Sequence, residues 1–258
     1  MLRRGFQLSL GAPRAIEPES QPLYASESDR AKALALALSD SQVSVAWNAA
    51  RDLAKLGEAA RSALPELSRA LLARDATTAL WARYAIAQIT GESAKHIPFL
   101  IEALSNKSKV FPGMAAAAIA PFGELASEAI PLLIAELDDP NPDNRWSAAG
   151  ALARMGDSGD AAISALLKCL NDPDEKVRWY AAFAISELNC DDREAIPILI
   201  SALRDPDDDV CGYSAIALSK FGPLAEAALP DLEWLLESEN PQLVVNIATA
   251  LDKIHPQG

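Results

Sequence analysis

The chain has 258 residues, half of them hydrophobic, and a formal net charge of −13 at pH 7. That is enough apolar sequence for a large core, while so acidic a balance excludes general binding to nucleic acid or to an anionic membrane, both of which need a basic surface. Three cysteines, Cys169, Cys190 and Cys211, are an odd number without metal-ligand spacing; they read as reduced thiols, which suits a cytoplasmic, reducing compartment.

Residues 1–29, MLRRGFQLSLGAPRAIEPESQPLYASESD, mix charge, Pro and Ser and read as a flexible N-terminal arm. The Arg3-Arg4-Gly5-Phe6 start has the outline of a twin-arginine signal, but Gln7, Ser9 and Gly11 break the apolar run behind it; an Arg-rich, acid-poor transit peptide is the other targeting reading. No apolar run approaches the length of a membrane span.

From residue 30 to 258 one pattern returns every 33 residues. Units begin at Arg30, Ala63, His96, Ala129, Ala162, Ala195 and Ala228, all in step without an insertion. A fixed period over most of a chain is the signature of a solenoid. Numbering each unit from its first residue, position 5 is Leu in all seven, from Leu34 to Leu232, and position 9 likewise, from Leu38 to Leu236. With Leu or Ile at position 2 in six of them, these fall on one face of a first helix, A. Pro65, Pro98, Pro131, Pro197 and Pro230 at position 3 belong to its first turn, where a missing N–H costs little.

A second helix, B, starts near position 16, with inner positions 20, 24 and 27. Position 20 is small in six units, as at Ala148 and Ala181, while 24 and 27 are large, as at Leu152 and Met155. Gly57, Gly123, Gly156 and Gly222 at position 28 end the helix. One unit cannot bury both of its helices, so stacking is compulsory. The third unit is irregular: Lys109-Val110-Phe111-Pro112-Gly113-Met114 replaces the usual start of B, and Pro121 in its last turn predicts a bend, read either as a tolerated terminal proline or as a gap or hinge in the groove.

The period is of ankyrin length, but the T-P-L-H-x-A signature is absent, as is the tetratricopeptide pattern. Asp172-Pro173-Asp174-Glu175-Lys176-Val177-Arg178, followed by Ala181-Ala182 and Ile185, instead resembles the short HEAT repeat first named for phycobilisome lyases. Asn144-Arg145 with Ala148-Ala149 and Leu152 is the next best match. The resemblance covers residues 30–258 and implies an all-α, right-handed α-solenoid of seven helical hairpins, with A helices convex and B helices concave. Position 17 departs from the family's Arg at Ala46, Ala79, Pro112, Cys211 and Val244, so no continuous arginine ladder is expected. For function the resemblance implies either a non-enzymatic scaffold holding a protein or peptide partner in the concave groove, or a bilin-lyase-like chromophore handler. The family's metal hydroxylases bind iron through repeated His-Glu pairs, which this chain lacks; its DNA glycosylases need a basic groove at odds with the charge.

The candidate groove residues are Trp47, Trp81, Arg145, Trp146, Arg178, Trp179, Tyr180 and Tyr213, all at positions 17 to 19. Position 18 lies roughly 140° from the mean direction of 20, 24 and 27 and is expected to point away from the core. Two readings stand side by side. The rings either face a ligand or pack across onto the next B helix and seal the stack. Arg145 and Arg178 beside them suit a carboxylate, including the propionates of a bilin. Bases outnumber acids along positions 16–27 of the B helices, and acids gather in the A–B turns, where they also cap helices. Asp205-x-Asp207-x-Asp209 resembles the start of a calcium loop, but Val210 and Ile216 stand where Gly and Glu belong. No catalytic, cofactor or metal residue is assigned.

Overall fold

Asp75, Asn141, Asp174, Asp207 and Asn240 each turn the chain into a helix by the same device. The side chain accepts a hydrogen bond from a backbone N–H two or three residues on. Such a cap contributes about 1 kcal/mol. All five stand at position 13, so the B helices open at position 14, two residues earlier than the apolar pattern predicts. The structure, a computed structural model, describes residues 26–73, 75–106 and 112–255.

Within those residues the chain forms seven helix pairs: α1 (Glu27–Ala37) with α2 (Val43–Leu56), α3 (Leu64–Ala70) with α4 (Ala76–Thr90), α5 (Ser93–Ser105) with α6 (Pro112–Ile119), α7 (Ile130–Glu136) with α8 (Pro142–Leu152), α9 (Ile163–Cys169) with α10 (Glu175–Glu187), α11 (Ala195–Ala202) with α12 (Asp208–Ser219), and α13 (Leu229–Leu235) with α14 (Pro241–Ile254). Consecutive B helices pack on one another along the whole series, which makes an all-α solenoid. The arm expected over 1–29 lies outside the described residues up to residue 25; α1 already begins at Glu27, capped by Ser26.

The core follows the period. Leu67, Leu100, Leu133, Leu166, Leu199 and Leu232 at position 5 are fully buried, as are Leu53, Leu152 and Ile185 at position 24. Position 9 holds in most units but not at Leu236, which is exposed, nor at Leu71, which is only half-buried. Cys169, Cys190 and Cys211 are free and buried. Burial pushes the thiols up, Cys169 to about 11 and Cys211 to about 12.

Four junctions between units share one geometry. Gly57, Gly123, Gly156 and Gly222 take φ between 52° and 57° and lead into a 3-10 turn before the next A helix. Gly123 is doubly required, because a Cβ there would stand 2.8 Å from the carbonyl oxygen of Arg154. The second junction differs. Helix α4 runs on to Thr90, Gly91 at φ 75° ends it, and α5 starts at Ser93 with no 3-10 turn. Pro98 therefore lies inside α5, not in its first turn.

One expectation about the third unit changes. Helix α6 stops at Ile119, so Pro121 opens the following 3-10 turn and bends no helix; the helix ends before a proline would cost it a bond. Lys109, Val110 and Phe111 lie outside the described residues. The stretch Pro112–Glu136 is long and apolar enough to cross a membrane by length and composition, with mean hydropathy 1.4, which the sequence reading did not anticipate. It is not one straight helix, since Gly123 and Ala126 leave helical geometry within it.

Candidate functional site

Positions 17 to 19, in the second turn of the B helices, carry the candidate residues. The aromatic side chains form two ladders. In the first, Trp47 stacks on Trp81 at 6.1 Å, Trp81 meets Tyr84 edge-on at 5.5 Å, and Tyr84 meets Phe122. In the second, Trp146 stacks on Tyr180 at 5.1 Å, Tyr180 meets Trp179 edge-on, and Trp179 packs on Phe183 and Tyr213. Gly113 holds position 18 in the unit between the ladders. Its N–H donates to Asn144 Oδ1 at 3.0 Å, and a Cβ would crowd Ser147 and the backbone of Asp143. Helices α6 and α8 approach too closely there for a ring.

The expectation that position 18 points away from the core is corrected at Trp146, which is buried, as are Trp81 and Tyr180. The cause is the neighbour. Tyr180 on α10 covers one side of the Trp146 indole, the Lys176 ammonium stands 4.2 Å from the ring centre, and Asp143 Oδ1 accepts its N–H at 2.9 Å. These three seal the stack, as the alternative reading had it. Trp47, Trp179 and Tyr213 are only half-buried and keep part of a ring toward solvent.

Arg145 and Arg178 are engaged across the seams between units. Arg145 donates through Nε and Nη2 to the two oxygens of Asp172, at 2.8 and 2.7 Å, and through Nη1 to the carbonyls of Asp139 and Pro140. Arg178 repeats this on Asp205, at 2.7 and 3.3 Å, and on the carbonyls of Asp172 and Pro173. The hydrogen bonds to the aspartates raise both guanidinium pKa values. Each fork joins one unit to the next, and both pairs are largely shielded from water. Asp172 and Asp205 belong to the acids of the A–B turns, and in these pairs they are shielded from water. Their role was visible in one signal: each Arg at position 17 has an Asp at position 11 of the following unit, 27 residues on. In the sixth unit Cys211 stands at position 17 and its thiol donates to the Leu203 and Asp205 carbonyls instead.

The three aspartates of the calcium-like stretch go separate ways: Asp205 binds Arg178, Asp207 caps α12, and Asp209 accepts the Trp179 indole N–H at 3.1 Å. Among the described residues no three His, Cys, Asp or Glu side chains converge as metal ligands. What the strip does present is an acidic aromatic corner. The Tyr213 hydroxyl is pushed up by burial and then by the Asp209 and Glu187 carboxylates. Among the described residues no Lys or Arg forms a close ion pair with either acid; Lys220, whose ammonium donates to the Leu188 carbonyl, feels the Glu187 charge from nearby.

A family profile described as HEAT repeats matches residues 97–175 and 163–252. An engineered protein solved as a structural-genomics target aligns at TM-score 0.55 and 22% identity, over 88% of this chain and 69% of its own. A designed armadillo repeat protein aligns at 0.54 and 20% identity, over 86% of this chain and 98% of its own. A second engineered protein aligns at 0.52 and 20%, over 88% and 99%. No curated protein matches the chain. At such identities the solved structures show the fold alone, but the profile spans more than half of the sequence. The chain belongs to the HEAT-repeat family.

Proposed function

We propose that this chain is a non-enzymatic HEAT-repeat scaffold that holds a protein or peptide along the B-helix strip, and that the partner presents Lys or Arg there. One observation supports this most. Half-buried Trp179 and Tyr213 meet edge to face at 5.6 Å, beside the carboxylates of Asp209 and Glu187. The arginines that could neutralise the strip are held by Asp172 and Asp205. An indole face next to carboxylates takes up a cation through both its quadrupole and its charge, and a chain of −13 steers a basic partner toward it. The bilin reading rested on Arg145 and Arg178 gripping propionates beside the Trp row; both forks are engaged by aspartates, which leaves only the rings to favour it.

The test is titration of labelled Lys/Arg-rich and Glu-rich peptides of equal length. The basic peptide should bind and the acidic one should not. Trp179→Ala should weaken binding by about 2 kcal/mol or more, as at an interface hot spot. Equal binding of both peptides, or an unchanged Trp179→Ala affinity, would sink the proposal.

A further inference from the structure

The second junction departs from the repeat in three ways, and all three meet in one cleft. Position 21 is Ala in six units, at Ala50, Ala116, Ala149, Ala182, Ala215 and Ala248; in the second unit it is Arg83. Position 1 is a fully buried Ala in five units, as at Ala129 and Ala195; in the third it is His96. The 3-10 turn that fills four of the other five seams is missing, and Leu71 is only half covered. The result is a cleft of about 360 Å³ between α3, α4 and α5, within the range of small-ligand sites.

Its polar groups are unusual for this molecule. His96 is 6% exposed, yet among the described residues neither ring nitrogen has a hydrogen-bond partner, and a buried polar group left so is costly. Among the described residues Arg83 has no carboxylate partner; its guanidinium lies 3.9 Å from the centre of the Phe99 ring. Ile86, Leu71 and the Phe99 ring supply apolar wall. The one acid in the lining, Glu92, is paired with Lys95 at 3.3 Å.

We propose that this cleft binds a carboxylate carried on a small apolar or aromatic body, with Arg83 and His96 holding the oxygens and Leu71, Ile86 and Phe99 holding the body. An arginine fork matches a carboxylate bidentately and keeps its stack on Phe99 while doing so. An imidazole N–H completes the set. Burial holds the His96 pKa below its ordinary value, Arg83 and Lys95 act in the same direction, and Glu92 acts against them. A bound carboxylate opposes that depression, so binding tightens as pH falls. The carboxylate can belong to a free acid or to the C-terminus of a peptide. The cleft lies away from the Trp179 corner, and this inference does not rest on the peptide-scaffold reading.

The chain has two histidines, His96 and His255, so ring resonances in a proton NMR spectrum report the site directly. The probes are 3-phenylpropionate, a tripeptide acid ending in Phe, and the same tripeptide as its amide. The expected result is a saturable shift of the His96 ring with an acid, an unmoved His255, and no response to the amide. Response to the free acid alone, or to the peptide acid as well, supports the site and names the source. Arg83→Ala and His96→Ala each restore the residue other units carry and should stay folded. Arg83→Ala should weaken the acid by at least about tenfold through loss of a charge-assisted pair, and His96→Ala should abolish the pH dependence of the affinity. No saturable shift with any acid, equal response to the amide, or undiminished binding by Arg83→Ala overturns the proposal.

Discussion

Arg178 ties two repeats together with one side chain. Its fork takes both oxygens of Asp205 in the next unit while its remaining nitrogen holds the turn of its own. Removing one member of a shielded pair leaves the other unmatched, so Arg178→Ala should cost about 2–4 kcal/mol. A double-mutant cycle with Asp205→Ala in denaturant melts should give a coupling of about 1–3 kcal/mol; a coupling near zero would make the pair incidental. His96 carries a pH signature of a different kind. Its pKa is lowered in the fold, chiefly by burial, so on acidification the unfolded chain takes up its proton first. The stability it contributes is whole above about pH 6.5, the ordinary histidine value, and is lost as pH falls toward the folded pKa. Thermal melts at pH 7.5 and 5.5 should therefore differ more for the parent than for His96→Ala. Residue types at positions 17 to 19 were legible in the sequence, but what they touch was not. A helical angle places Trp146 relative to its own helix, and only the neighbour, through Tyr180 and Lys176, decides that it is buried.

At the scale of elements, the linkers separate two effects of one residue type. Gly57 and Gly123 share a φ near 53°, but a Cβ at Gly57 meets nothing within 4 Å, whereas at Gly123 it meets backbone. Gly57→Ala should cost the conformational strain alone, about 1–2 kcal/mol. Gly123→Ala should cost more, and the difference between their denaturant midpoints measures the clash. Leu137→Ala, at 3% exposure on α7, should cost about 2–5 kcal/mol from lost burial and a cavity. These faces could be read from the period, because leucines at positions 5 and 9 repeat in every unit. The helix starts could not, because a capping side chain acts ahead of the apolar pattern. Nor could the extension of α4 to Thr90 and the early start of α5, which follow from Gly91 standing one position later than the other linker glycines.

Across the whole molecule, stability is the sum of units and the seams between them. The seams from the fourth to the sixth unit carry the arginine forks and the longer aromatic ladder, while the second seam carries a cleft. Hydrogen exchange on the intact chain should therefore find the amides of α8, α10 and α12 slower than those of α2 and α4; the reverse order would mean that the forks add nothing to cooperativity. The seams also share an arithmetic. Arg145 reaches Asp172, Arg178 reaches Asp205 and Arg204 reaches Asp231, in every case 27 residues ahead. The rule refers to the period and to no particular place in the chain, so the length of the array is a free variable. Residues 162–194 carry both an acceptor at their start, Asp172, and a donor further on, Arg178. A second copy inserted after Glu194 would find each fork an aspartate to hold, and the protein would grow by one rung without a new bond having to be invented. An insertion that is not a whole number of units would shear every fork that spans it. Growth by duplication of whole units is thus the one change of length that this chemistry tolerates.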